Sequence, residues 1–266
     1  MAFTRGRKQL ERELTEARAA LAAAREQADD DRRRLVMTVS HELRTPLTVI
    51  QGIVNTLETH WVQMAESERM DMIDVIATNV SSLDASILHF IDVGKLERGE
   101  TTLHLAEVPL QPVVDAVLAK LAPVLGGYSV RAQLDVPTAW GDRDAISRML
   151  ELLISNAARF SPLATPIFVR AKPVDEGTEL AVIDRGMGIA PRNLAHVFEP
   201  FWRADTVESG VSRGAGLGLT IVKQLAELHG GSVRVMSSRG RGSGFHVFLP
   251  GRLGADAALP AVHRVG

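Results

Sequence analysis

The sequence predicts two domains: an all-α antiparallel helical hairpin that forms a dimeric four-helix bundle, followed by an α+β two-layer sandwich. In the first hundred residues, apolar side chains recur in steps of three and four, which is the seam pattern of packed helices. From Leu110 the pattern changes to strand-like runs with a few helical stretches, which is typical of α+β layers. With 266 residues, the chain can form two modest domains.

Composition limits the classes of function. The formal net charge is -2, so the sequence does not point to nucleic acid or an anionic membrane as the main partner. There is no cysteine, which excludes disulfides, thiolate catalysis and cysteine-based zinc sites. No apolar run approaches the roughly 20 residues of a membrane span, and the N-terminus lacks an apolar signal core. The expected location is therefore the cytoplasm.

The N-terminal segment, residues 1–34, is expected to be a helical coil. Its thin seam is formed mainly by leucines and alanines and ends out of phase with the next stripe, a stutter that locally unwinds a coiled coil. A run of three aspartates and three arginines, residues 29–34, lies at the join. This run fits either a solvated helix face or a discontinuity that transmits a signal.

Residues 35–100 carry the predicted hairpin, with the polar stretch from His60 to Glu68 as its turn. A lone hairpin cannot cover both of its apolar stripes, so two chains should pair as a homodimer. The stripes consist of Val36, Val39, Leu43, Ile50, Ile53 and Leu57 on the first helix and Ile73, Ile76, Val80, Leu83, Ile87 and Phe90 on the second.

The hexapeptide HELRTP at residues 41–46 is the most informative feature of the first helix. His41 falls between two seam positions, so its ring should face solvent. Pro46 lacks an N–H and crowds the carbonyl of Glu42, so the helix is expected to bend beside the histidine. An exposed imidazole with an adjacent carboxylate suits nucleophilic chemistry. A lone histidine is more often an ordinary surface residue. For His41, the motifs of the second domain favour the catalytic interpretation instead.

Residues 101–109 are expected to be a linker or an edge strand, residues 110–250 the mixed domain, and residues 251–266 a loose tail. The predicted helices of the mixed domain are Gln111–Leu125, Arg143–Phe160 and Leu217–Leu228. The predicted strands are Ser129–Leu134, Ile167–Ala171, Leu180–Ile183, Ser232–Ser237 and Gly244–Leu249.

Two segments of the mixed domain carry polar groups suited to a nucleotide. Asn156, late in its helix, could offer an amide oxygen to Mg²⁺, and Arg159 one turn later could meet phosphate. Asp184 ends a strand and could accept a hydrogen bond from an exocyclic amine such as adenine N6, while Gly186 and Gly188 allow close backbone approach to a ring. Each segment also has an ordinary interpretation: Asn156 could be a helix cap, and Asp184 could begin a tight Asp/Gly turn.

A third segment, Gly214 to Leu219, places three glycines ahead of a helix. Glycines there free backbone N–H groups at the positive end of the helix dipole, which suits phosphate. The spacing superficially matches a dinucleotide fingerprint but fails it, because no βαβ unit with a following acidic residue is present. The polar stretch between Phe201 and Arg213 lacks periodicity and suits a mobile lid.

Together these motifs resemble the catalytic core of the two-component sensor histidine kinases, with an ATP-binding domain of the gyrase/Hsp90/histidine-kinase/MutL type, the Bergerat fold. The likeness covers about residues 35–250. The matching motifs are the H box at 41–46, the N box at Asn156, the G1 box at 184–188, the F box at 198–201, the G2 box at 214–218 and the closing strand at 242–250.

The resemblance implies a role for each matching residue. His41 would be phosphorylated by ATP and would pass the phosphoryl group to an aspartate on a response regulator receiver domain. Glu42 would act as general base, and Thr45 would position water for dephosphorylation of the regulator. Asn156 would also bind Mg²⁺. The implied nucleotide contacts are Asn156, Arg159, Asp184, Gly186, Gly188, Phe198, Arg203, Gly214, Gly216, Gly218 and Leu219.

One position departs from the family pattern. The N box usually has a second asparagine four residues before the metal-binding one, and here that position is Leu152. This predicts a thinner metal shell and a lower nucleotide affinity. Two alternatives remain: a catalytically weak or non-catalytic dimeric scaffold, and another ATPase of the same superfamily. The H box argues against the second alternative, as does the lack of a carboxylate four residues before Asn156.

Overall fold

The computed structural model describes residues 43–203 and 216–252, together with isolated positions at 18, 22, 26, 37, 39 and 40. The chain divides into two compact units, Met1–Asp84 and Ala85–Gly266. The predicted N-terminal coil and the predicted tail fall almost entirely outside the described residues.

The first unit contains the helical hairpin. Helix α1 covers residues 43–60, and helix α2, Glu66–Glu97, follows a short turn. The Glu68 carboxylate accepts a hydrogen bond from the Ala65 backbone N–H at 2.8 Å, which satisfies one of the donors that a helix N-terminus leaves unpaired. The predicted hairpin and the position of its turn are confirmed.

The apolar stripe of α2 is only partly covered within one chain. Ile76 and Leu83 are half-buried, whereas Ile73, Val80 and Ile87 are each more than two-fifths exposed. A row of exposed apolar side chains on a long helix is typical of a surface that another chain covers.

Helix α1 runs through Pro46, which is buried, and remains helical on both sides of it from residue 43 onward. The Thr48 hydroxyl donates to the Arg44 carbonyl at 2.9 Å in the same stretch. The predicted bend involves the carbonyl of Glu42, beside His41, and both residues lie outside the described part of the chain.

The last turns of α2 belong to the second unit. Val93 is almost fully buried in the hydrophobic core, with Phe90 and Leu96 packed beside it. The Arg148 Nε–H donates to the Asp92 carboxylate at 2.9 Å. The helix ends at Glu97, and Gly99 follows in a left-handed conformation, φ 64°, which a glycine adopts at little cost.

The second unit is built on a five-stranded sheet with the order β2-β4-β5-β7-β6, in which only β2 and β4 are parallel. A separate two-stranded antiparallel sheet joins β1 to β3. The strands are β1 Ala106–Pro109, β2 Ser129–Leu134, β3 Thr138–Gly141, β4 Pro166–Val174, β5 Gly177–Ile183, β6 Ser232–Ser237 and β7 Ser243–Pro250.

Three helices pack on one face of the larger sheet: α3 Leu110–Leu125, α4 Arg143–Phe160 and α5 Gly218–Leu228. Alternate residues of β4, namely Ile167, Val169 and Ala171, are buried in the core beneath them, as the two-residue period of a strand requires. The predicted α+β sandwich is confirmed, and residues 106–109 form the edge strand that was one of two alternatives for the linker. Strand β3 was not predicted, because four residues are too few to show a period.

Asp142 and His229 connect the ends of the two helices that border the candidate site. Asp142 caps the N-terminus of α4: its Oδ1 accepts from the Ala145 N–H at 2.9 Å and its Oδ2 accepts from the His104 N–H at 2.8 Å. His229 ends α5 and is almost fully buried. Its Nε2 accepts from the Asp142 N–H at 3.0 Å, and its Nδ1 donates to the Leu225 carbonyl at 2.7 Å.

These contacts fix the protonation state of His229. A carbonyl can only accept, so Nδ1 carries the proton, and Nε2 must stay unprotonated to accept from Asp142. Burial lowers the pKa of the His229 ring, against the opposing effects of the Leu225 carbonyl and the Asp142 charge. The ring is therefore neutral in the folded protein.

We predict that His229→Leu destabilises the second unit by roughly 1–3 kcal/mol, because it leaves the buried Asp142 N–H without its acceptor. The Leu225 carbonyl keeps a donor, the His229 backbone N–H. His104→Ala is the matched control, since the exposed His104 contributes only its backbone to this cluster. Chemical denaturation of the two variants and the wild-type chain measures the difference. Equal stability of all three would contradict the linking role.

The same histidine predicts an acid sensitivity. The pKa of His229 is lower in the folded than in the unfolded chain. Its contribution to the free energy of unfolding is therefore complete above the usual pKa of a histidine, and it is lost as the pH falls from there to the lowered pKa of the folded state. His229→Leu should remove this part of the pH dependence of unfolding. A variant whose stability falls as steeply as that of the wild type in that range would show that another group is responsible.

Candidate functional site

The middle of α4 faces the start of α5. Asn156 is half-buried, and Leu152, one turn earlier on the same face, is 5% exposed. Gly218 is the first residue of α5. A Cβ built on Gly218 would lie 3.6 Å from Leu152 Cδ2 and 4.0 Å from Asn156 Nδ2. The structure therefore brings the predicted metal ligand next to the predicted phosphate-binding helix N-terminus.

Asp184 is buried at the end of β5 and is held by backbone donors. Its Oδ1 accepts from the Gly186 N–H at 2.7 Å and from the Ser243 N–H at 3.2 Å. Burial raises the pKa of this carboxyl, and the two backbone hydrogen bonds oppose that rise. Among the hydrogen bonds of the described residues none uses Oδ2, so the second oxygen is the acceptor that a ligand could use.

The glycines that follow Asp184 are required by close packing. A Cβ on Gly186 would lie 2.2 Å from the Phe160 carbonyl oxygen, and Met187 N–H donates to the same oxygen at 3.2 Å. Gly188 has φ 66°, and its Cβ would lie 2.0 Å from the Ser238 carbonyl oxygen. These two glycines let the loop lie directly against the C-terminal end of α4 and the β6–β7 turn.

The segment after the short 3₁₀ helix Pro191–Asn193 lies against the sheet and α5. The Phe198 ring meets the Phe245 ring edge-on, with centroids 6.3 Å apart and an interplanar angle of 87°. The Thr220 hydroxyl donates to the Phe198 carbonyl at 3.2 Å. Leu219, beside Thr220, is half-buried at the edge of the core.

Phe201 and Gly216 flank the predicted lid and contact each other. Phe201 N–H donates to the Gly216 carbonyl at 3.1 Å. Both residues have left-handed backbone, φ 63° and 66°, which is uncommon for a bulky residue such as phenylalanine. Arg203 is exposed just before the undescribed residues 204–215. Gly214 and most of the predicted lid lie within those undescribed residues.

Arg159 is exposed in the last turn of α4. It lies close enough to His89, in the C-terminal part of α2, to influence its charge. His89 is half-buried there, and burial, Arg148 and Arg159 together lower its pKa to about 4. His89 is therefore neutral near pH 7. Its environment follows from the packing of α2 on α4, which no local sequence pattern indicates.

Glu151 forms a cluster that sequence reasoning missed. Its Oε1 accepts from Lys120 Nζ at 2.7 Å and its Oε2 accepts from Arg148 Nη1 at 3.3 Å. The carboxylate beside Leu152 is thus paired with cations from α3 and α4. Position 152, four residues before Asn156, is a leucine. The site therefore lacks a carboxylate at the position where the alternative function, another ATPase of the same superfamily, would need its general base.

The phosphoacceptor motif is described only in part. Thr45 is exposed on α1, whereas His41 and Glu42 lie outside the described residues. The structure therefore places Asn156 beside Gly218 and the Asp184 loop against the end of the same helix, and it does not test the geometry of the histidine.

Family models match both units. A model described as the His Kinase A (phospho-acceptor) domain matches residues 31–99. A model described as the histidine kinase-, DNA gyrase B- and HSP90-like ATPase matches residues 141–253. The chain belongs to the sensor histidine kinase family. The second match also makes the α+β unit an ATPase-type, ATP-binding domain.

Histidine kinases are also found among curated relatives. The chain is 30% identical over 226 residues to the sensor-like histidine kinase SenX3 of Mycobacterium tuberculosis, which covers 82% of this chain and 54% of that protein. It is 31% identical over 243 residues to the circadian input-output histidine kinase CikA of Thermosynechococcus vestitus, covering 89% and 33%. The chain thus spans about half the length of SenX3 and a third of CikA.

Solved histidine kinases share the fold. Histidine kinase AdeS of Acinetobacter baumannii superimposes with a TM-score of 0.62 at 23% identity, covering 80% of this chain and 98% of that one. Histidine kinase ThkA, solved in complex with the response regulator protein TrrA, gives 0.59 at 20% identity, covering 82% and 61%. No helix among the described residues is both long and apolar enough to cross a membrane.

Two glycines of the site should respond differently to alanine. Gly188→Ala should unfold or distort the loop, because its Cβ would meet a backbone oxygen at 2.0 Å. Gly218→Ala should fold normally, because its Cβ would make only ordinary contacts and alanine favours a helix. If phosphate packs against Gly218, Gly218→Ala should nevertheless weaken ATP binding, by about tenfold for each 1.4 kcal/mol lost.

Thermal unfolding and equilibrium binding of a fluorescent ATP analogue separate the two effects. A Gly218→Ala protein that is stable and also binds the analogue like the wild type would remove the phosphate-binding role from the start of α5.

Proposed function

We propose that this chain is the catalytic core of a sensor histidine kinase that transfers the γ-phosphoryl group of ATP to His41 and then to an aspartate of a response regulator receiver domain. The observation that supports it best is the arrangement around α4 in a domain of ATP-binding type: Asn156 lies beside Gly218, and the Asp184 loop packs against the end of the same helix. This domain follows a phosphoacceptor-type hairpin that includes His41.

Adenine recognition is assigned to Asp184. Its Oδ1 is occupied by the Gly186 and Ser243 N–H groups, so Oδ2 would accept from the exocyclic amine of adenine. Gly186 and Gly188 carry no side chain that would obstruct a ring beside this loop. Phe198 and Leu219 would contribute from the adjoining segments, and Arg159 and Arg203 would meet the phosphates.

The triphosphate would lie toward the N-terminus of α5. Gly214, Gly216 and Gly218 precede or begin that helix, and backbone N–H groups there favour anions. Asn156 would offer its amide oxygen to a Mg²⁺ ion that is carried largely by the phosphates. Among the described residues no cluster of three His, Cys, Asp or Glu side chains could hold a metal. When bound, Mg²⁺ would neutralise charge on the β- and γ-phosphates.

The chemistry would proceed at the hairpin. An imidazole nitrogen of His41 attacks the γ-phosphorus, the bond from that phosphorus to the β–γ bridging oxygen breaks, and ADP leaves. Glu42 takes the imidazole proton as the N–P bond forms. An oxygen of the receiver aspartate then attacks the phosphohistidine and releases the imidazole. Thr45 would position a water molecule for hydrolysis of the phosphorylated regulator.

His41→Gln should abolish phosphoryl incorporation from γ-labelled ATP and leave ATP affinity unchanged, because the acceptor and the nucleotide site lie in different units. His60→Gln, on an exposed histidine of the same hairpin, is the matched control and should be labelled normally. The label should be acid-labile and base-stable. Wild-type labelling of His41→Gln would overturn the acceptor assignment, and a wild-type chain that binds ATP without labelling would favour the scaffold alternative.

Leu152 should limit magnesium binding. An asparagine at this position would place a second amide one turn from Asn156, and a ligand worth about 1.4 kcal/mol would raise affinity about tenfold. We therefore predict that Leu152→Asn strengthens nucleotide binding in Mg²⁺ but not in EDTA. Leu152→Met, which keeps the volume and adds no ligand, is the control. The prediction is wrong if both variants change affinity equally.

Dimerisation is proposed through the stripe of α2. Val80→Asp should dissociate the dimer, because pairing would bury an unpaired carboxylate from each chain. Ser81→Asp, an exposed neighbour outside the stripe, should leave it intact. Sedimentation of the full chain distinguishes the two. A monomeric wild-type chain, or equal effects of the two substitutions, would mean that the interface lies elsewhere.

A further inference from the structure

The five-stranded sheet has a second face, opposite the helices, which we call the outer face. The exposed charged side chains within its strands are basic, and one exposed acid, Asp135, lies just beyond the end of β2, where it accepts from Gln133. Four basic residues at alternate strand positions are exposed: Arg131, Arg170, Lys172 and Arg234. The acidic residue among those positions, Glu179, is buried. Residues 101–250 as a whole contain 15 Lys and Arg against 14 Asp and Glu. The domain is therefore nearly neutral, whereas the strands of the outer face carry four cations against one buried acid.

Strand register places these cations beside one another. Arg170 pairs with Ala181 of β5, Ala181 pairs with His246 of β7, and His246 pairs with Arg234 of β6. The row thus crosses four strands that lie about 4.8 Å apart, and three of its four members, Arg170, His246 and Arg234, are basic. Lys172 and Glu179 are direct partners in the adjacent row.

Glu179 holds three basic groups of this face in place. Its carboxylate accepts from Arg234 Nη2 at 2.6 Å, from Lys172 Nζ at 3.0 Å and from His246 Nδ1 at 3.2 Å. Burial would raise its pKa, but hydrogen bonds from Arg234, Lys172 and His246 outweigh burial and lower the pKa to about 2. The side chains of Lys172 and Arg234 remain 51% and 56% exposed, so their positions are fixed while they stay accessible.

Apolar groups lie among the cations. The Phe168 ring is flanked by the guanidinium groups of Arg170 and Arg185, 5.7 and 5.9 Å from its centroid. Met236, in the same cross-strand row as Phe168 through Ile183 and Gly244, is 58% exposed. Interfaces commonly combine an aromatic anchor with arginine.

We propose that the outer face is a docking surface for a carboxylate-rich segment of a partner protein that carries apolar side chains between its acids. Charge complementarity selects the acids, and Phe168 and Met236 select the apolar groups. A protein is favoured over an anionic membrane because Lys172 and Arg234 are turned sideways onto Glu179 rather than extended toward a lipid surface. None of the residues named here is a proposed nucleotide contact, so the proposal does not depend on the proposed kinase activity.

The test uses the full chain and a short fluorescent peptide in which Glu alternates with Leu and Ser. The double substitution Arg131→Glu/Arg170→Glu should weaken binding of the peptide by at least about tenfold, because favourable pairs between arginine and peptide glutamate become repulsive pairs of carboxylates. Arg143→Glu/Arg192→Glu changes the same net charge at exposed positions elsewhere and should have little effect. Phe168→Ser should also weaken binding although no charge changes. Unchanged affinity for a fluorescent ATP analogue confirms that each variant is folded.

Three outcomes would overturn the proposal. Equal losses in both charge-reversal variants would show only long-range attraction. Binding to phosphatidylserine vesicles but not to the peptide would point to a membrane. A wild-type chain that fails to bind the peptide at all would show that the outer face does not dock such a segment.

Discussion

A carboxylate buried at the end of a central strand organises the nucleotide half of this protein. Asp184 is largely shielded from water, and its Oδ1 takes hydrogen bonds from the backbone on two sides, from Gly186 in the loop that follows β5 and from Ser243 at the start of β7. The packing is close enough that a Cβ on Gly242 would lie 2.1 Å from the Asp184 carbonyl oxygen. The same contacts that satisfy the buried charge therefore set the shape of the loop.

Helix α4 connects the Asp184 loop to the other parts of the site. Its C-terminal end receives the Asp184 loop through the Phe160 carbonyl, its middle places Asn156 and Leu152 beside the start of α5, and its N-terminal cap is tied to the end of α5 through His229. Both ends of α5 are thus positioned by one helix. Groups held in this way are preorganised, which reduces the entropy that binding would otherwise cost.

Much of this could be predicted from sequence where the signal is local. The strand ending at Ile183, the following Asp-Gly turn and the helix with Asn156 all show their period or their turn residues, and each lies where it was predicted. Strand β3 is too short for a period. Asp142, which donates to His229, and Lys120, which donates to Glu151, lie 87 and 31 residues away from them in sequence, and such pairings arise only when the chain folds. The leucine at position 152 was visible in the sequence, but its contact with Gly218 was not.

If Asp184 recognises adenine, the pKa of its carboxyl group should respond directly to the bound nucleotide. Burial raises that pKa in the free protein, and a hydrogen bond from an adenine amine would favour the ionised form. A carbon-detected NMR titration of the Asp184 carboxyl should therefore show the pKa falling when ATP binds and not when inosine triphosphate, which lacks the amine, is added. A pKa that is unchanged by ATP, or lowered equally by both nucleotides, would contradict the assignment.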